Sequence, residues 1–178
     1  MAYFSKFPKG VYDIAGNKQF KLVTDIMRRV KVRAKVLNEA SLYDDYDVPS
    51  GERPEMTAFK HFGDTELHWI ILLTNDITDV YYGWPLSDQD FEKYVNDKYA
   101  NPAGVHHYEI TQSSGNTTGS SPDDYSHKIE VNETEAGAES VSNYEYERRE
   151  QDKLRSIKLL DPAFLGLFIE EFERLINQ

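Results

Sequence analysis

Five histidines, His61, His68, His106, His107 and His127, are the side chains best suited to acid–base or metal chemistry in this chain of 178 residues. A zinc-binding helix sets two histidines four residues apart on one face, as in HExxH. His61 and His68 are instead seven apart across Gly63, and no HExxH occurs. His106 and His107 are adjacent, and neighbouring side chains of a strand point to opposite faces, which argues against a shared ion. Opposed carboxylates could serve as acid and base, but Asp44-Asp45, Asp123-Asp124 and Glu170-Glu171 are sequence neighbours that diverge in a helix or strand. Ser50-Gly51 and Ser114-Gly115 lack the strand–turn–helix context of a nucleophile elbow, and no Gly-rich phosphate loop is present. A glycosidase using Glu52 or Glu66 is the one hydrolytic option these residues leave. The expectation is therefore a protein that binds and does not catalyse, with no catalytic residue, no metal site and no cofactor.

The composition narrows what it could bind. Aromatic residues make up 13 % of the chain, mainly 12 Tyr and 9 Phe, enough for a core and suited to interfaces. The formal net charge of −11 disfavours a nucleic-acid surface, and no nucleic acid is expected as a partner. There is no cysteine, which removes disulfides and thiolate sites. The densest apolar run, Trp69 to Leu73, is far too short to cross a membrane, so no membrane partner is expected, and MAYFSKFPKG lacks the apolar centre of a secretory signal.

These residues need elements to position them. VKVRAKV, from Val30 to Val36, alternates apolar and basic residues and predicts a half-buried strand with a basic outer face. Tyr46 and Val48 alternate ahead of a Pro49-Ser50-Gly51 turn. Pro54 then opens a helix whose Met56, Phe59 and Phe62 share a face, and Gly63 ends it. Asp64 is the N-cap of a second helix running to Leu72 or Leu73, with Leu67, Ile70 and Ile71 on one side and Trp69 and Leu73 on another. A helix apolar nearly all round must be buried from more than one direction. TDVYYGWP reads as an ordered aromatic loop, and Ser87 with Asp90 caps a helix carrying Phe91, Tyr94 and Val95.

Between Gln112 and Ser142 the composition turns polar and acidic, predicting an exposed hairpin-like arm in which HKIEV pairs with HHYEI. Tyr144 to Arg155 reads as a charged helix and Ile157 to Leu160 as a strand. Asp161-Pro162 starts a last helix whose stripe includes Phe164, Leu165, Phe168, Ile169 and Phe172. This terminal helix suits a core or a partner's groove equally, and its removal is expected to leave the Tyr46–Asn75 core folded. The resulting fold class is α+β: a small core of one strand and two helices, an N-terminal strand, a polar hairpin-like arm and C-terminal amphipathic helices. The expected segments are 1–42 for docking, 43–80 for the core, 81–111 for the aromatic loop and helix, 112–142 for the arm and 143–178 for the terminal helices.

Two resemblances refine this. The stretch Tyr46 to Asn75, with Y-x-V-x-x-G-E, a helix containing Ala58 and a second helix ending in Leu72-x-x-Asn75, resembles a LysM module, which implies a LysM-like β-α-α-β core; many such modules bind N-acetylglucosamine polymers. Over most of the chain, DIMRRVKV, ELHWIILLTNDI, YYGWPLS, HHYE and YEYERREQDKLRSIKLLDP are similar to the baseplate wedge protein 53 family of T-even-like contractile-tailed bacteriophages. That resemblance implies a non-enzymatic structural subunit of the virion tail baseplate, assembled in the host cytoplasm and present in many copies. It also implies contacts with other wedge proteins and neighbouring wedges around the hub. The partner-binding residues expected are Trp69, Tyr81, Tyr82, Trp84, Phe164, Phe168 and Phe172. The alternative is a LysM-type peptidoglycan or chitin binding module acting through the Gly51 turn.

Overall fold

A computed structural model describes residues 3–32, 40–112 and 125–178. The chain is α+β and divides into two compact units, one of residues 1–85 and 154–178, the other of residues 86–153. The polar run 113–124 and residues 33–36 of the expected N-terminal strand lie outside the described residues. Val30 to Val32 are not in a strand, which corrects that part of the reading. Val30 turns inward against an apolar cluster, while Arg29 and Lys31 turn outward and pair with Asp76.

Unit one begins with a 3-10 turn, Tyr3–Lys6, and an antiparallel hairpin of β1, Lys9–Tyr12, and β2, Lys21–Thr24. Its centre is β3, Tyr43–Asp47, followed by α1, Pro54–Phe62, a 3-10 turn at Thr65–Leu67, and α2, His68–Thr74. Pro54 occupies the first turn of α1, where its missing N–H costs nothing. Gly63 ends that helix at φ 77°, a left-handed conformation in which its N–H reaches the Phe59 carbonyl. The Asp64 carboxylate then accepts from the Glu66 N–H at 2.9 Å and redirects the chain into α2. A single-turn helix, α3, follows at Val80–Gly83.

The partner of β3 comes from the other end of the sequence. β7, Ser156–Leu160, pairs antiparallel with β3 from Tyr43↔Leu160 to Asp47↔Ser156. α2 lies between two apolar clusters and feeds both. Trp69 and Ile70 join Phe7, Tyr43, Leu160 and Phe172 in the first, and Ile71 joins Val48, Ala58, Trp84 and Ile157 in the second. Burial from two directions is what the apolar circumference of HWIILL requires.

Two expectations about faces change. The buried side of α1 is Pro54, Thr57 and Ala58, not Met56 and Phe59, which stay exposed. Small Ala58 lets the helix lie close to the core, and the Thr57 hydroxyl is needed inward to donate to Glu52 at 2.8 Å. The last helix, α6, Leu165–Ile176, puts Phe172 and Ile176 into the first cluster. It is thus part of the core and cannot be removed without exposing Trp69 and Ile70. Truncating it opens a cavity lined by aromatic and branched side chains, a class of change costing several kcal/mol.

One side chain fastens the sheet to α2. The Asn75 amide donates to the Ile71 and Lys158 carbonyls, each at 2.9 Å, and its oxygen accepts from the Lys158 N–H at 2.8 Å. No backbone group could satisfy the end of a helix and a strand at once. Asn75→Ala is expected to destabilise unit one by about 2 kcal/mol, read as a lower urea midpoint with an unchanged slope.

Unit two contains α4, Asp88–Lys98, the strands β4, Val105–Gln112, β5, His127–Val131, and β6, Glu139–Ser142, and the start of α5, Asn143–Arg155. The sheet order is β5-β4-β6, all antiparallel, so HKIEV does pair with the strand containing HHYEI. β6 also pairs with β4, which makes this part of the expected arm a third strand. Ser87 caps α4, accepting from the Asp90 N–H. Among the described residues of this unit, the apolar side chains fully buried are Phe91, Val95 and Val141.

Two buried carboxylates take the place of a larger apolar core in unit two. Arg149 of α5 holds Glu109 of β4 with two bonds, at 2.7 and 3.0 Å, and Lys128 of β5 adds a third. Glu147 of α5 accepts from Lys98 and from the Tyr99 hydroxyl, both at 2.7 Å. Burial raises the Glu147 carboxyl, but these bonds outweigh it and leave it below the ordinary range. The Arg149 and Lys128 contacts pull Glu109 from 4.5 down to about 2 against the opposing effect of burial. Because the folded value lies below the unfolded one, this stabilisation is complete above about pH 4.5 and is lost as pH falls towards 2. Glu109→Gln should weaken amide-exchange protection of β4 by about 2–3 kcal/mol at neutral pH. It should also flatten the pH dependence of that protection between those limits.

Candidate functional site

The most conspicuous presented group is the tip of α3. Tyr81 and Tyr82 are 88 % and 84 % exposed, while Trp84, two residues on, is 6 % exposed. The Asp79 carboxylate caps the turn by accepting from the Tyr81 N–H at 2.9 Å. The Gly83 and Trp84 N–H groups return to the Asp79 and Val80 carbonyls at 2.8 and 3.2 Å. A Cβ on Gly83 would come within 2.8 Å of the Ile77 side chain, so any larger residue would force Ile77 or the turn to shift.

Trp84 anchors this turn from below. Its indole ring sits in the second cluster, and Nε1 donates to the Glu52 carbonyl at 2.7 Å. Glu52 is itself fixed: its buried carboxylate accepts from the Tyr46 hydroxyl at 3.0 Å, from Thr57 and from Lys60. One residue therefore links β3, α1 and the α3 turn, and the two tyrosines project from a rigid base. Rigid aromatic side chains with little rotamer freedom left to lose are the residue type that dominates protein interfaces.

The same geometry makes Glu52 unsuited to act as a general acid. Burial would raise its carboxyl, but the bonds from Lys60, Thr57 and Tyr46 prevail and hold it ionised below the ordinary range. A general acid must carry a proton near neutral pH, and a carboxylate occupied by three donors does the opposite. Glu66 lies exposed at the start of the turn before α2. Among the described residues, no group of three or more His, Cys, Asp or Glu side chains is arranged to hold a metal.

The histidines are placed as structural groups, with one correction. His61 Nε2 meets the Leu160 carbonyl at 2.8 Å, and His68 Nδ1 meets the Thr65 carbonyl at 2.9 Å. His106 and His107 do not point to opposite faces: their Nδ1 atoms are 2.9 Å apart, and the His106 ring stacks on Tyr146 at 3.9 Å. The cause is a register shift of the β4–β6 ladder between Val105 and His107, which breaks the alternation.

The seven expected partner-binding residues fall into three groups. Tyr81 and Tyr82 are presented to solvent. Phe164 and Phe168 are half-buried along the first cluster. Trp69, Trp84 and Phe172 are buried in the chain's own cores, with Trp69 and Phe172 rings 4.7 Å apart. The spacing of aromatics does not separate these groups, because burial depends on what β7 and α6 bring against them. Sequence reasoning missed the exposed pair Met56 and Phe59 on α1, and the apolar exposure of the β1–β2 hairpin. The apolar residues Val11 and Tyr12 and the spaced pair Phe20 and Leu22 were the available signals for the hairpin.

With the geometry in place, comparison with known proteins is direct. Residues 2–116 match the family described as base plate wedge protein 53. The chain is also 27 % identical over 168 residues to the baseplate wedge protein gp53 of Enterobacteria phage T4, an alignment covering 88 % of this chain and 85 % of that protein. The family match spans more than half of the chain and includes β3, both helices of the core and the Tyr81–Tyr82 tip. The chain belongs to the base plate wedge protein 53 family.

Proposed function

We propose that the chain is a structural subunit of a bacteriophage tail baseplate wedge that joins wedge components and neighbouring wedges around the hub through protein–protein contacts. Family membership supports the baseplate role, as does the similarity to the T4 baseplate wedge protein over 88 % of this chain. The observation that carries the contact reading is the exposed Tyr81–Tyr82 tip, held by Asp79, Gly83 and Trp84 on the Glu52 hub. Half-buried Phe164 and Phe168 extend the aromatic surface available on unit one. The virion tail baseplate is then its destination, reached by assembly in the host cytoplasm, and its work is non-enzymatic.

A LysM-type saccharide reading has one observation in its favour. β3, α1, α2 and β7 follow the strand–helix–helix–strand order, with the two strands antiparallel. Against it, the Glu52 carboxylate beside the Gly51 turn is turned inward and used by protein groups. Pull-down on insoluble peptidoglycan separates the two readings, with no retention at low salt expected.

The contact reading is tested by Tyr81→Ala/Tyr82→Ala. Both side chains are exposed, so the fold and its melting temperature should be unchanged. Binding to co-expressed wedge proteins should fall by about tenfold or more, the loss that follows from removing interface aromatics. Wild-type incorporation by this variant would count against the tip as a contact surface.

A further inference from the structure

The β1–β2 hairpin has a specified shape and no core of its own. The Asp13 carboxylate accepts from the Asn17 and Lys18 N–H groups at 3.3 and 2.7 Å, and Asn17 accepts from the Gln19 N–H at 3.0 Å. Gly16 and Lys18 take positive φ angles of 65° and 63° to close the loop. The cross-strand pair Val11 and Leu22 is nonetheless 68 % and 66 % exposed, and Tyr12, Ile14 and Phe20 are exposed beside it. A two-stranded hairpin is marginal in water unless its apolar face is covered.

Charge points to what covers it. The hairpin, residues 9–24, carries Lys9, Lys18 and Lys21 against only Asp13, in a chain whose net charge is −11. The most acidic strand of the same chain is β3, whose Asp44, Asp45 and Asp47 are exposed. Among the described residues, β3 pairs with β7 alone. Bonds from Val48 N–H to the Arg155 carbonyl and from Asp161 N–H to the Leu42 carbonyl flank that ladder. In this antiparallel register the even residues bond β7, so Asp45 and Asp47 turn their backbone groups to the other edge.

We propose that the β1–β2 arm of one copy docks along the acidic open edge of β3 in a second copy of this chain. The arm supplies strand edges, Lys9 and Lys21, and the Val11–Leu22 face; β3 supplies free N–H and C=O groups and its aspartates. Arm and edge are different surfaces, so the contact is head-to-tail and extends from copy to copy, closing into a ring where the rotation permits. This names one partner within the assembly reading as the chain itself.

Sedimentation of the pure full chain across a concentration series tests it. Self-association is expected, weakened by about tenfold or more in Lys9→Glu/Lys21→Glu and in Asp45→Lys/Asp47→Lys, each measured alone. Mixing these two variants should restore association, because each then meets an edge or arm of opposite charge. Leu22→Asp should abolish it while circular dichroism stays unchanged. A monomer at every concentration overturns the proposal, as does association that ignores all these changes. So does an arm protected by another baseplate protein while the chain stays monomeric. Any of these results leaves the Tyr81–Tyr82 incorporation test standing, so failure of the self-contact is distinguishable from failure of the baseplate reading.

Discussion

The antiparallel pairing of Tyr43–Asp47 with Ser156–Leu160 is the constraint on which unit one depends. The two strands are roughly a hundred residues apart, and closing such a loop costs about 4 kcal/mol of chain entropy beyond the constant term. Backbone bonds of a two-stranded ladder do not offset that by themselves. What offsets it is the burial that β7 completes: Ile157 and Leu159 enter one apolar cluster and Leu160 the other. α2 is the wall between those clusters, so the same strand that closes the loop also covers both sides of the helix. Asn75 then makes helix end and strand interdependent, since its amide serves both.

Buried carboxylates recur wherever the apolar supply runs short. Glu52, Glu109 and Glu147 are each about 5 % exposed, and each is met by more than one donor, those of Glu52 and Glu109 coming from two elements. A buried ion pair adds little net stability over an apolar substitute, because desolvation cancels most of the attraction. It does penalise every arrangement in which a donor is missing. In unit two this selects one register of β4 against β5 and α5, where Phe91, Val95 and Val141 could tolerate several. In unit one it sets Trp84, and through it the α3 turn, relative to β3.

Local signals were legible in the sequence and long-range ones were not. Pro54, Gly63, Asp64, Ser87 and Asp161-Pro162 mark element ends through backbone chemistry that needs only near neighbours, and the elements begin or end at those positions. The apolar circumference of α2 announced burial from two sides. The face of α1 was misread because Met56 and Phe59 outrank Thr57 and Ala58 in hydrophobicity, while the core needed a small residue and a hydroxyl. The Val30–Val36 alternation signalled an inward Val30 but not a strand at Val30 to Val32, since pairing depends on a partner that alternation cannot name. His106 and His107 were misread because a register shift between Val105 and His107 breaks the two-residue period.

The aromatic residues show why a candidate site is harder to read than a fold. Trp69, Trp84, Tyr81 and Tyr82 lie within sixteen positions, and nothing in their types distinguishes core from surface. The distinction arises from α3 being a single turn: with so few residues it can bury one side only, and Trp84 takes that side through its bond to Glu52. Tyr81 and Tyr82 are then left outside by the geometry of the turn and not by their polarity. Exposing two tyrosines carries a solvation cost that a free-standing protein would lower by polar substitution. In the proposed contact a neighbour covering the tip recovers that cost, and the hydrogen-bonded Asp79–Gly83 turn means that little backbone entropy is lost in doing so.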